Sequence, residues 1–274
     1  MKAIVLAAGM GTRLGKYTEN LPKGMLSFAG KSLIERQINT LRSCGIEDIT
    51  IVKGYAPEKI NFPGIKYYVN ENFAETNMVE TLFKAEKEID GDFLVLYSDV
   101  ICEKKVIEEV LKSKADIGVT VDVDYWDYWK ARLDDPEEDT ESLIIGSGGN
   151  IVDLGDTNCT LSDAKVRYVG IIRFSKKGAE ALKKVYHEQK NLHFESNLPW
   201  MRSKSFKKAY MTCMLKALID AGYRVDPIFI KHGWLEFDTV EDYERATAWN
   251  ENGTLQRFIN LHDNDSNHPK GRAK

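Results

Sequence analysis

The first chemically informative stretch is the glycine-containing turn that follows the N-terminal apolar run. Gly9 and Gly11 carry no Cβ, so the backbone N–H groups of the turn are open to a ligand. Several N–H groups that point outward from such a turn form a site for an anion. Arg13 can donate two parallel hydrogen bonds to a phosphate, and Lys23, on a segment stiffened by Pro22, adds a point charge. Together these residues predict a phosphate-binding site.

The spacing within this turn excludes two common phosphate-binding motifs. A P-loop requires Gly-x-x-x-x-Gly-Lys-Ser/Thr, whereas Gly15-Lys16 is followed by Tyr17. A dinucleotide fingerprint requires a third glycine three residues after Gly11, where this chain has Leu14. A plain strand and turn with basic surface residues remains as an alternative, and it explains the glycines better than it explains the whole set.

Two aspartates stand directly after predicted strands at distant places in the chain. Asp99 follows the apolar run Phe93–Tyr97, and Asp238 follows Leu235–Phe237. We expect both to converge at one crevice of a parallel sheet, because ligands bind at the carboxyl ends of such strands. The alternatives are a loop carboxylate for Asp99 and a helix N-cap for Asp238, although Asp238 is free for another role if Thr239 is the cap.

These residues lie among elements that predict an α/β fold. Apolar runs without period-two alternation are typical of strands buried on both faces, and they alternate here with amphipathic helices. We therefore predict one Rossmann-like domain with a mainly parallel, mixed sheet. The predicted strands are 2–8, 49–52, 65–69, 93–97, 117–121, 167–174, 225–230 and 234–237, and the predicted helices are 32–44, 78–89, 104–111, 179–189, 209–221 and 240–250.

Residues 122–165 differ in character from the rest of the chain. They are acidic and loop-rich, and they predict a flap over the acceptor side of the domain, within a domain that spans 1–250. Residues 251–274 form a C-terminal extension whose polar end is predicted to be disordered.

Composition limits the classes of function. The 274 residues are 43% hydrophobic and carry a net charge of −4, which does not favour nucleic acid as a partner. No apolar run reaches the length of a membrane span, and the four cysteines are far apart, so the sequence predicts a cytoplasmic protein in a reducing compartment. The five histidines show no metal-ligand spacing. A homodimer is compatible with the sequence, which does not fix the oligomeric state.

The stretch Leu6-Ala7-Ala8-Gly9-Met10-Gly11-Thr12-Arg13-Leu14, followed by Pro22-Lys23, resembles the signature of a known enzyme family. That family comprises the nucleotidyltransferases that activate sugar phosphates, phosphocholine and phosphonates. The resemblance covers roughly residues 1–250 and implies that the glycine turn binds a nucleoside triphosphate. It implies that Arg13 supports the pyrophosphate leaving group, that Lys23 contacts the α-phosphate, and that Asp99 and Asp238 hold Mg²⁺. The implied nucleotide-binding residues are Leu6, Ala7, Ala8, Gly9, Gly11, Thr12, Gly54, Asn77 and Thr81.

The segment around Asn77 points to CTP as the nucleotide. Sugar-nucleotide members carry Gln-Pro-x-Gly at this place, whereas Asn77-Met78-Val79 resembles the cytidylyltransferases for phosphocholine and phosphonates. Lys53-Gly54-Tyr55 is also similar to their base-contacting segment. Asn77 or Thr81 is expected to read the pyrimidine, and the alternative for Asn77 is a helix cap.

Several stretches in the second half of the chain resemble CTP-dependent enzymes of phosphonate biosynthesis. They are Tyr125-Trp126 with Arg132, Asp135-Pro136, Asp139-Thr140-Glu141, Tyr168-Val169-Gly170-Ile171, Ala209-Tyr210-Met211-Thr212 and Gly233-Trp234-Leu235-Glu236-Phe237-Asp238-Thr239. The resemblance implies transfer of CMP to a small phosphonate, such as 2-aminoethylphosphonate or a hydroxy or carboxy relative, with release of pyrophosphate. Cys213 stands where an aspartate is expected, which weakens the case for an amino substrate. The acceptor is expected to contact Trp126, Arg132, Tyr168 and Thr212.

Three other functions remain open. The aromatic residues at 125, 126, 128 and 129 could form a cage for the quaternary ammonium of phosphocholine, or a small core under the flap. A sugar 1-phosphate is another acceptor to be considered. A non-catalytic nucleotide-binding regulatory module is the alternative from a different class, and the presence of all four predicted catalytic and metal-binding residues counts against it.

Overall fold

The computed structural model describes residues 1–137 and 139–261, so the end at 263–274 that was predicted to be disordered lies outside the described residues. In chain order, the strands are β1 (Lys2–Ala7), β2 (Ser27–Phe28), β3 (Lys31–Ser32), β4 (Ile49–Lys53), β5 (Lys66–Val69), β6 (Phe93–Tyr97), β7 (Val100–Cys102), β8 (Ile117–Asp122), β9 (Leu143–Ile145), β10 (Ile151–Leu154), β11 (Arg167–Phe174), β12 (Asp226–Ile230) and β13 (Trp234–Glu236). The helices are α1 (Leu33–Ser43), α2 (Met78–Lys84), α3 (Lys104–Lys112), α4 (Tyr125–Arg132), α5 (Lys176–His193), α6 (Met211–Asp220) and α7 (Val240–Asn252).

A seven-stranded sheet forms the centre of the molecule, in the order β12-β8-β11-β6-β1-β4-β5. The pairs of β1 with β4 and β6, of β4 with β5, and of β8 with β12 are parallel. Strand β11 is antiparallel to both of its neighbours, β6 and β8. This confirms the predicted α/β fold with a mainly parallel, mixed sheet.

Both faces of the sheet are covered, which explains why its strands read as unbroken apolar runs. In β1, Ala3 and Val5 pack into the core on one face, whereas Ile4 and Leu6 pack into the core on the other. Helices α1, α3 and α7 cover the first face, and α2, α5 and α6 cover the second. Across the described residues, no helix has the length and apolar character needed to cross a membrane.

Segment 122–165, predicted as a flap, divides into two parts. Its first part contains α4, which the sequence did not predict and which places Tyr128 and Trp129 in the core at 2% and 0% exposure. Its second part contains the β9–β10 hairpin, in which Leu143 pairs with Leu154. Residues 134, 135 and 137 between them are exposed, as expected for a solvated acidic loop.

Candidate active site

Two adjoining cavities open at the edge of the sheet where β1 and β6 end and β11 begins. The first has a volume of about 340 Å³ and is lined by the glycine turn, the end of β6 and the start of α2. The second has a volume of about 320 Å³ and is lined by the start of β11 and the residues around the β9–β10 hairpin. Their shared lining, which we call the seam, consists of Arg13, Met78, Tyr97, Tyr210, Glu236 and Asp238.

The turn after β1 is shaped by close contact with Lys23. Gly11 has a φ of +66°, and a Cβ at this position would lie 2.8 Å from Cβ of Lys23. A side chain at Gly11 would therefore push the lysine segment away from the turn. A Cβ at Gly9 would meet nothing within 4 Å, so Gly9 leaves space open toward the first cavity. Among the predicted nucleotide-binding residues, the first cavity is also lined by Leu6, Ala8, Thr12, Asn77 and Thr81.

Two of the predicted nucleotide-binding residues lie behind the cavity. Ala7 is 2% exposed and belongs to the core beneath the turn. A Cβ at Gly54 would lie 2.6 Å from the carbonyl oxygen of Ala8, and that oxygen accepts a hydrogen bond from the N–H of Tyr55 at 3.1 Å. Gly54 therefore lets the chain after β4 pack under Ala8, and its contribution in this structure is to position the turn.

Lys23 lies between two carboxylates beside the seam. Its Nζ atom is 2.6 Å from Oδ2 of Asp99 and also donates to Oδ1 of Asp238. Arg13 donates to the same Asp238 oxygen at 3.0 Å. Burial by itself disfavours the charged lysine, but Asp99 and Asp238 outweigh that effect and raise its pKa. Burial likewise disfavours the Asp238 carboxylate, but Lys23 and Arg13 lower its pKa. Lys23 and Asp238 are therefore both charged at neutral pH.

The two aspartates converge by a route that the sequence analysis did not foresee. Strand β13 pairs with β7 in a separate antiparallel ribbon, with Glu236 opposite Val100. The N–H of Phe237 donates to the carbonyl oxygen of Asp99 at 3.1 Å, which fixes Asp238 beside Asp99. The expected convergence is present, but the expectation that the main parallel sheet produces it was wrong, because β13 is not part of that sheet.

The two aspartates fit a divalent cation that is bound together with a phosphate. Oδ1 of Asp99 is buried and accepts no hydrogen bond, so it has acceptor capacity in reserve. Among residues 1–137 and 139–261, no group of three or more His, Cys, Asp or Glu side chains could hold a metal ion. Two carboxylates suit Mg²⁺, which usually takes one or two carboxylates, substrate phosphates and water.

Arg132 lies behind the seam, where it holds three acidic side chains. It is 3% exposed and donates to both carboxylate oxygens of Asp242 at 2.8 Å. It also donates to Glu236 at 2.7 Å and lies 3.6 Å from Oδ2 of Asp238. The structure does not support the expected contact of Arg132 with the acceptor, because the guanidinium is already paired and lies outside the lining of both cavities.

The same network sets the start of α7. Asp242 accepts from the N–H groups of Asp238 at 2.8 Å and Thr239 at 2.9 Å, and Thr239 caps the helix in return. Thr239, and not Asp238, is therefore the N-cap of α7, and the Asp238 carboxylate faces Lys23 and Arg13 instead. Burial and the Asp238 carboxylate raise the pKa of Glu236 to about 7, although Arg132 opposes this shift.

Asn77 and Thr81 line the first cavity with side chains that already have partners. The Asn77 side-chain oxygen accepts from the N–H of Met78 at 2.9 Å as the N-cap of α2, and its Nδ2 donates to the Lys208 carbonyl at 3.3 Å. The Thr81 hydroxyl donates to the Asn77 carbonyl at 3.0 Å and accepts from the buried Asn70 at 3.0 Å. In this arrangement the alternative of a helix cap holds for Asn77.

The aromatic residues of α4 form core packing. Tyr128 packs against Trp234 and Phe258, with ring centroids 5.4 Å apart in both cases. The indole N–H of Trp129 donates to the Asp139 carbonyl at 3.0 Å. Trp126 lies outside the lining of both cavities, so the structure does not support its expected contact with the acceptor, and the cage of α4 residues is replaced by the small core that was the alternative.

The second cavity contains the other two predicted acceptor residues. Tyr168 lines it, and its hydroxyl lies 2.7 Å from the hydroxyl of Tyr97; Thr212 lines it from the start of α6. The sequence assigned no role to several other charged or aromatic residues that line this cavity. Four of them lie within the stretches that carry the resemblance but were not singled out there: Asp139, Glu141, Tyr210 and Glu236. The other three, Asp156, Arg167 and Arg202, lie outside those stretches.

The fold and the paired cavities define a nucleotidyltransferase. Residues 3–145 match the family model of the MobA-like NTP transferase domain, and the chain belongs to this family. Among solved structures, it is similar to the CTP:phosphocholine cytidylyltransferase of Streptococcus pneumoniae, with a TM-score of 0.67 and 23% identity over 90% of this chain and 97% of that one. It is also similar to the inositol-1-phosphate CTP transferase of T. maritima, with a TM-score of 0.69 and 19% identity over 98% of this chain and 97% of that one.

The chain is also similar to several curated proteins. The chain is 28% identical to the CTP:phosphoglutamine cytidylyltransferase of Campylobacter jejuni over 256 residues, which cover 89% of this chain and 98% of the relative. It is 40% identical to the choline-phosphate cytidylyltransferase of Streptococcus pneumoniae over 35% of this chain and 43% of the relative. It is 30% identical to the CMP-5'-(3-aminopropyl)phosphonate synthase of Streptomyces rubellomurinus over 40% of this chain and 19% of the relative.

Proposed function

We propose that the protein is a cytidylyltransferase that transfers CMP from CTP to a small phosphonate and releases pyrophosphate. The observation that carries the proposal is the position of Lys23, Asp99, Asp238 and Arg13 where two adjoining cavities meet. A nucleotide in the first cavity and an acceptor in the second would meet at this cluster. A non-catalytic nucleotide-binding module has no need for the second cavity.

The first cavity suits the triphosphate of a nucleotide. The turn at Gly9–Arg13 offers N–H groups and the Arg13 guanidinium, whose side chain is 68% exposed and free to turn toward a phosphate. We assign Arg13 to the β- and γ-phosphates, which leave as pyrophosphate. We assign Lys23 to the α-phosphate, where negative charge must be held during transfer.

The reaction needs no general base. One ionised oxygen of the acceptor phosphonate attacks the α-phosphorus of CTP, a new P–O bond forms, and the bond between the α-phosphorus and the bridging oxygen to the β-phosphate breaks. The electron pair of that bond leaves with pyrophosphate. Positioning and charge stabilisation are then the contributions of the protein. This agrees with the absence of a histidine from the lining of either cavity among the described residues.

Asp99 and Asp238 would hold the Mg²⁺ that we propose as cofactor. When bound, the cation supplies charge neutralisation for the phosphates at the reacting centre. Lys23 would then turn from the carboxylates to the α-phosphate, and Arg13 from Asp238 to the leaving group. Arg132 would keep Asp238 and Glu236 in place from behind, because it contacts both side chains and is buried.

CTP is the proposed nucleotide because the three relatives compared above are named for CTP or a CMP product. The pyrimidine would be read mainly by backbone groups, because both side chains already have partners. The Asn77 amide binds the Met78 N–H and the Lys208 carbonyl, and the Thr81 hydroxyl binds the Asn77 carbonyl and the Asn70 amide. Asn70 would act as a positioning residue, because it is fully buried and binds both Thr76 and Thr81.

The test is pyrophosphate release by the purified chain in the presence of Mg²⁺. CTP, UTP, GTP, ATP and dTTP would each be paired with phosphonates, phosphocholine and glucose 1-phosphate. Release that requires CTP and a phosphonate supports the proposal. Release with phosphocholine, or with UTP or dTTP and the sugar phosphate, would overturn the acceptor or the nucleotide assignment. Tight CTP binding without release in any pairing would favour the non-catalytic module.

A further inference from the structure

The arginines that line the second cavity all have acidic partners. Each of the three arginines is paired with a carboxylate, and Arg13, which we propose turns to a phosphate, is assigned to the leaving pyrophosphate, so none is assigned to a second anionic group of the acceptor. The pairs are Arg13 with Asp238 at 3.0 Å, Arg167 with Asp139 at 3.5 Å, and Arg202 with Asp153 at 2.9 Å and Asp156 at 3.4 Å.

Glu141 is the acidic lining residue that remains unpaired. Among the described residues, its carboxylate has no hydrogen bond and no ion pair, although it is partly buried in the cavity wall. Burial disfavours the charged form and raises the pKa of Glu141, and the nearby Arg167 only partly offsets this effect. A cationic group of a ligand would supply the missing partner.

The backbone around Glu141 is fixed, so its side chain is presented by a rigid wall. The N–H of Ser142 donates to the Asp156 carbonyl at 2.9 Å, and the N–H of Gly155 donates to the Ser142 carbonyl at 2.9 Å. Gly155 has a φ of +83°, and a Cβ at this position would lie 2.8 Å from Cβ of Thr212. The base of the hairpin is therefore packed directly against the start of α6.

We propose that the second cavity binds an acceptor whose non-reacting end is an ammonium group, and that Glu141 is the residue that holds it. This inference rests on the proposed function and specifies its substrate class. The phosphonate end would lie at the seam near Lys23, and the ammonium would donate hydrogen bonds to Glu141. The cavity around it offers further acceptors in the Tyr168 and Thr212 hydroxyls, which suit an N–H donor better than a methylated nitrogen.

Glu141 therefore takes over a role that the sequence left without a candidate. Cys213 stands where a carboxylate is expected in the related phosphonate enzymes, and it is 2% exposed in α6 and does not line either cavity. The carboxylate for an amine comes instead from the segment before β9. This answers the objection that Cys213 raised against an amino substrate.

The experiment compares three phosphonates that differ at the non-reacting end, together with phosphocholine, a phosphate monoester with a methylated nitrogen. Initial rates of pyrophosphate release would be measured with CTP, Mg²⁺ and 2-aminoethylphosphonate, 2-hydroxyethylphosphonate, 2-carboxyethylphosphonate or phosphocholine. Glu141→Gln is expected to lower kcat/KM for the amino compound by about tenfold to hundredfold, since it removes a charge-assisted hydrogen bond. The value for the hydroxy compound and the KM for CTP are expected to stay within about twofold. Glu141→Lys is expected to improve the carboxy compound.

Glu137→Gln is the matched control, because Glu137 is exposed on the same segment and does not line either cavity. Equal losses for the amino and hydroxy compounds in Glu141→Gln, or no loss for either, would overturn the role of Glu141 and leave cytidylyl transfer intact. A wild-type preference for the hydroxy or carboxy compound, or for phosphocholine, would overturn the ammonium assignment. No release with any acceptor would overturn the proposed function itself.

Discussion

The Nζ atom of Lys23 lies 2.6 Å from Oδ2 of Asp99, and the same ammonium binds Asp238. In the structure, a lysine thus occupies the space between the two carboxylates that we propose as Mg²⁺ ligands. The arrangement is stable because each carboxylate has a cation beside it. A metal ion at the proposed site would compete with the lysine for the same oxygens, so the proposed mechanism requires Lys23 to move toward the phosphates of the nucleotide.

Lys23→Met should remove this competition together with the contact to the α-phosphate. We expect turnover to fall by at least about a hundredfold, because each charge-assisted phosphate contact contributes several kcal/mol in the transition state. We also expect the free energy of unfolding to fall by roughly 3 kcal/mol without metal, since the partly buried Asp99 loses its cation and Asp238 keeps only Arg13 and the more distant Arg132. Added Mg²⁺ should raise the Tm of this variant more than that of the wild type.

Lys16→Met is the control for this substitution. Lys16 lies in the same turn but is exposed, and it pairs with Glu244 at 3.3 Å on the surface, where such pairs contribute little. Its turnover and Tm should stay near the wild-type values. An equal Mg²⁺-dependent rise in Tm for the wild type and for Lys23→Met would contradict the competition between lysine and metal.

Asp99→Asn and Asp238→Asn should each lower turnover at saturating CTP by more than about a hundredfold, and chelation of Mg²⁺ should abolish wild-type activity. Excess Mg²⁺ should restore part of the activity in each variant, because one carboxylate ligand remains. The readouts are the rate of pyrophosphate release against Mg²⁺ concentration and the KM for CTP. Wild-type turnover after complete chelation would rule out the proposed metal role.

The sequence predicts the parts of this structure that depend on local pattern. The strand Lys2–Ala7 follows from an unbroken apolar run that ends at a glycine, and the helix Leu33–Ser43 follows from apolar residues at helical spacing. It could not predict the β13–β7 ribbon, because a three-residue antiparallel pair between distant segments leaves no periodic signal. The sequence also could not decide whether the α4 aromatic residues form part of the core or a cage for a ligand, because both require the same residue types.

The sequence also could not predict the hydrogen-bond partners of individual polar side chains. Arg132 was expected to contact a ligand, but Asp242 and Glu236 on distant elements occupy its guanidinium. Asn77 was expected either to cap α2 or to read the base, and only the fold shows that both of its side-chain groups are used. Glu141 lies in the Asp139-Thr140-Glu141 stretch that carries the resemblance, but the sequence assigns it no role, and only the fold shows its unpaired position in the cavity wall.

Arg132→Met should destabilise the fold more than it changes acceptor recognition. Removing the guanidinium leaves Asp242 and Glu236 without a buried partner, and such losses are about 3–5 kcal/mol. Arg132→Lys should fall between the wild type and Arg132→Met in Tm. The measurements are thermal unfolding and the KM for the acceptor in each variant.

Arg257→Lys is a suitable comparison, since Arg257 pairs with Asp127 on the surface at 2.9 Å and should be replaced without effect. If Arg132 instead contacted the acceptor, Arg132→Lys would raise the acceptor KM while its Tm stayed at the wild-type value.

Asn77→Ala should cost about 1 kcal/mol as a lost N-cap of α2. Asn77→Asp should retain most of that stability, because aspartate caps equally well. Neither change should alter the ratio of kcat/KM for CTP to that for UTP by more than about threefold, since neither amide group is free to read the base. Ser32→Ala, which removes the N-cap of α1 outside the lining of both cavities, is the control for stability. A collapse of CTP selectivity in both Asn77 variants would restore the base-reading role.

Glu141 should make acceptor binding depend on pH. Burial raises its pKa, Asp139 and Asp238 add to this rise, and Arg167 and Arg202 oppose it. As the pH falls, Glu141 takes up a proton sooner than an exposed carboxylate does, so the KM for 2-aminoethylphosphonate should rise. The profile for 2-hydroxyethylphosphonate provides the baseline, because its phosphonate titrates similarly while its hydroxyl does not need the carboxylate.

The same shift has a consequence for stability. Because the folded chain holds the proton of Glu141 more tightly than the unfolded chain does, the stability that this group contributes is present at low pH and is lost as the pH rises through the folded pKa. Glu141→Gln should therefore unfold at a higher temperature than the wild type at pH 8, and the difference should shrink toward pH 4. A variant that is less stable than the wild type at pH 8 would show that the carboxylate has a structural partner. A more stable variant that has lost its preference for the amino acceptor would show that the unpaired charge is kept for binding.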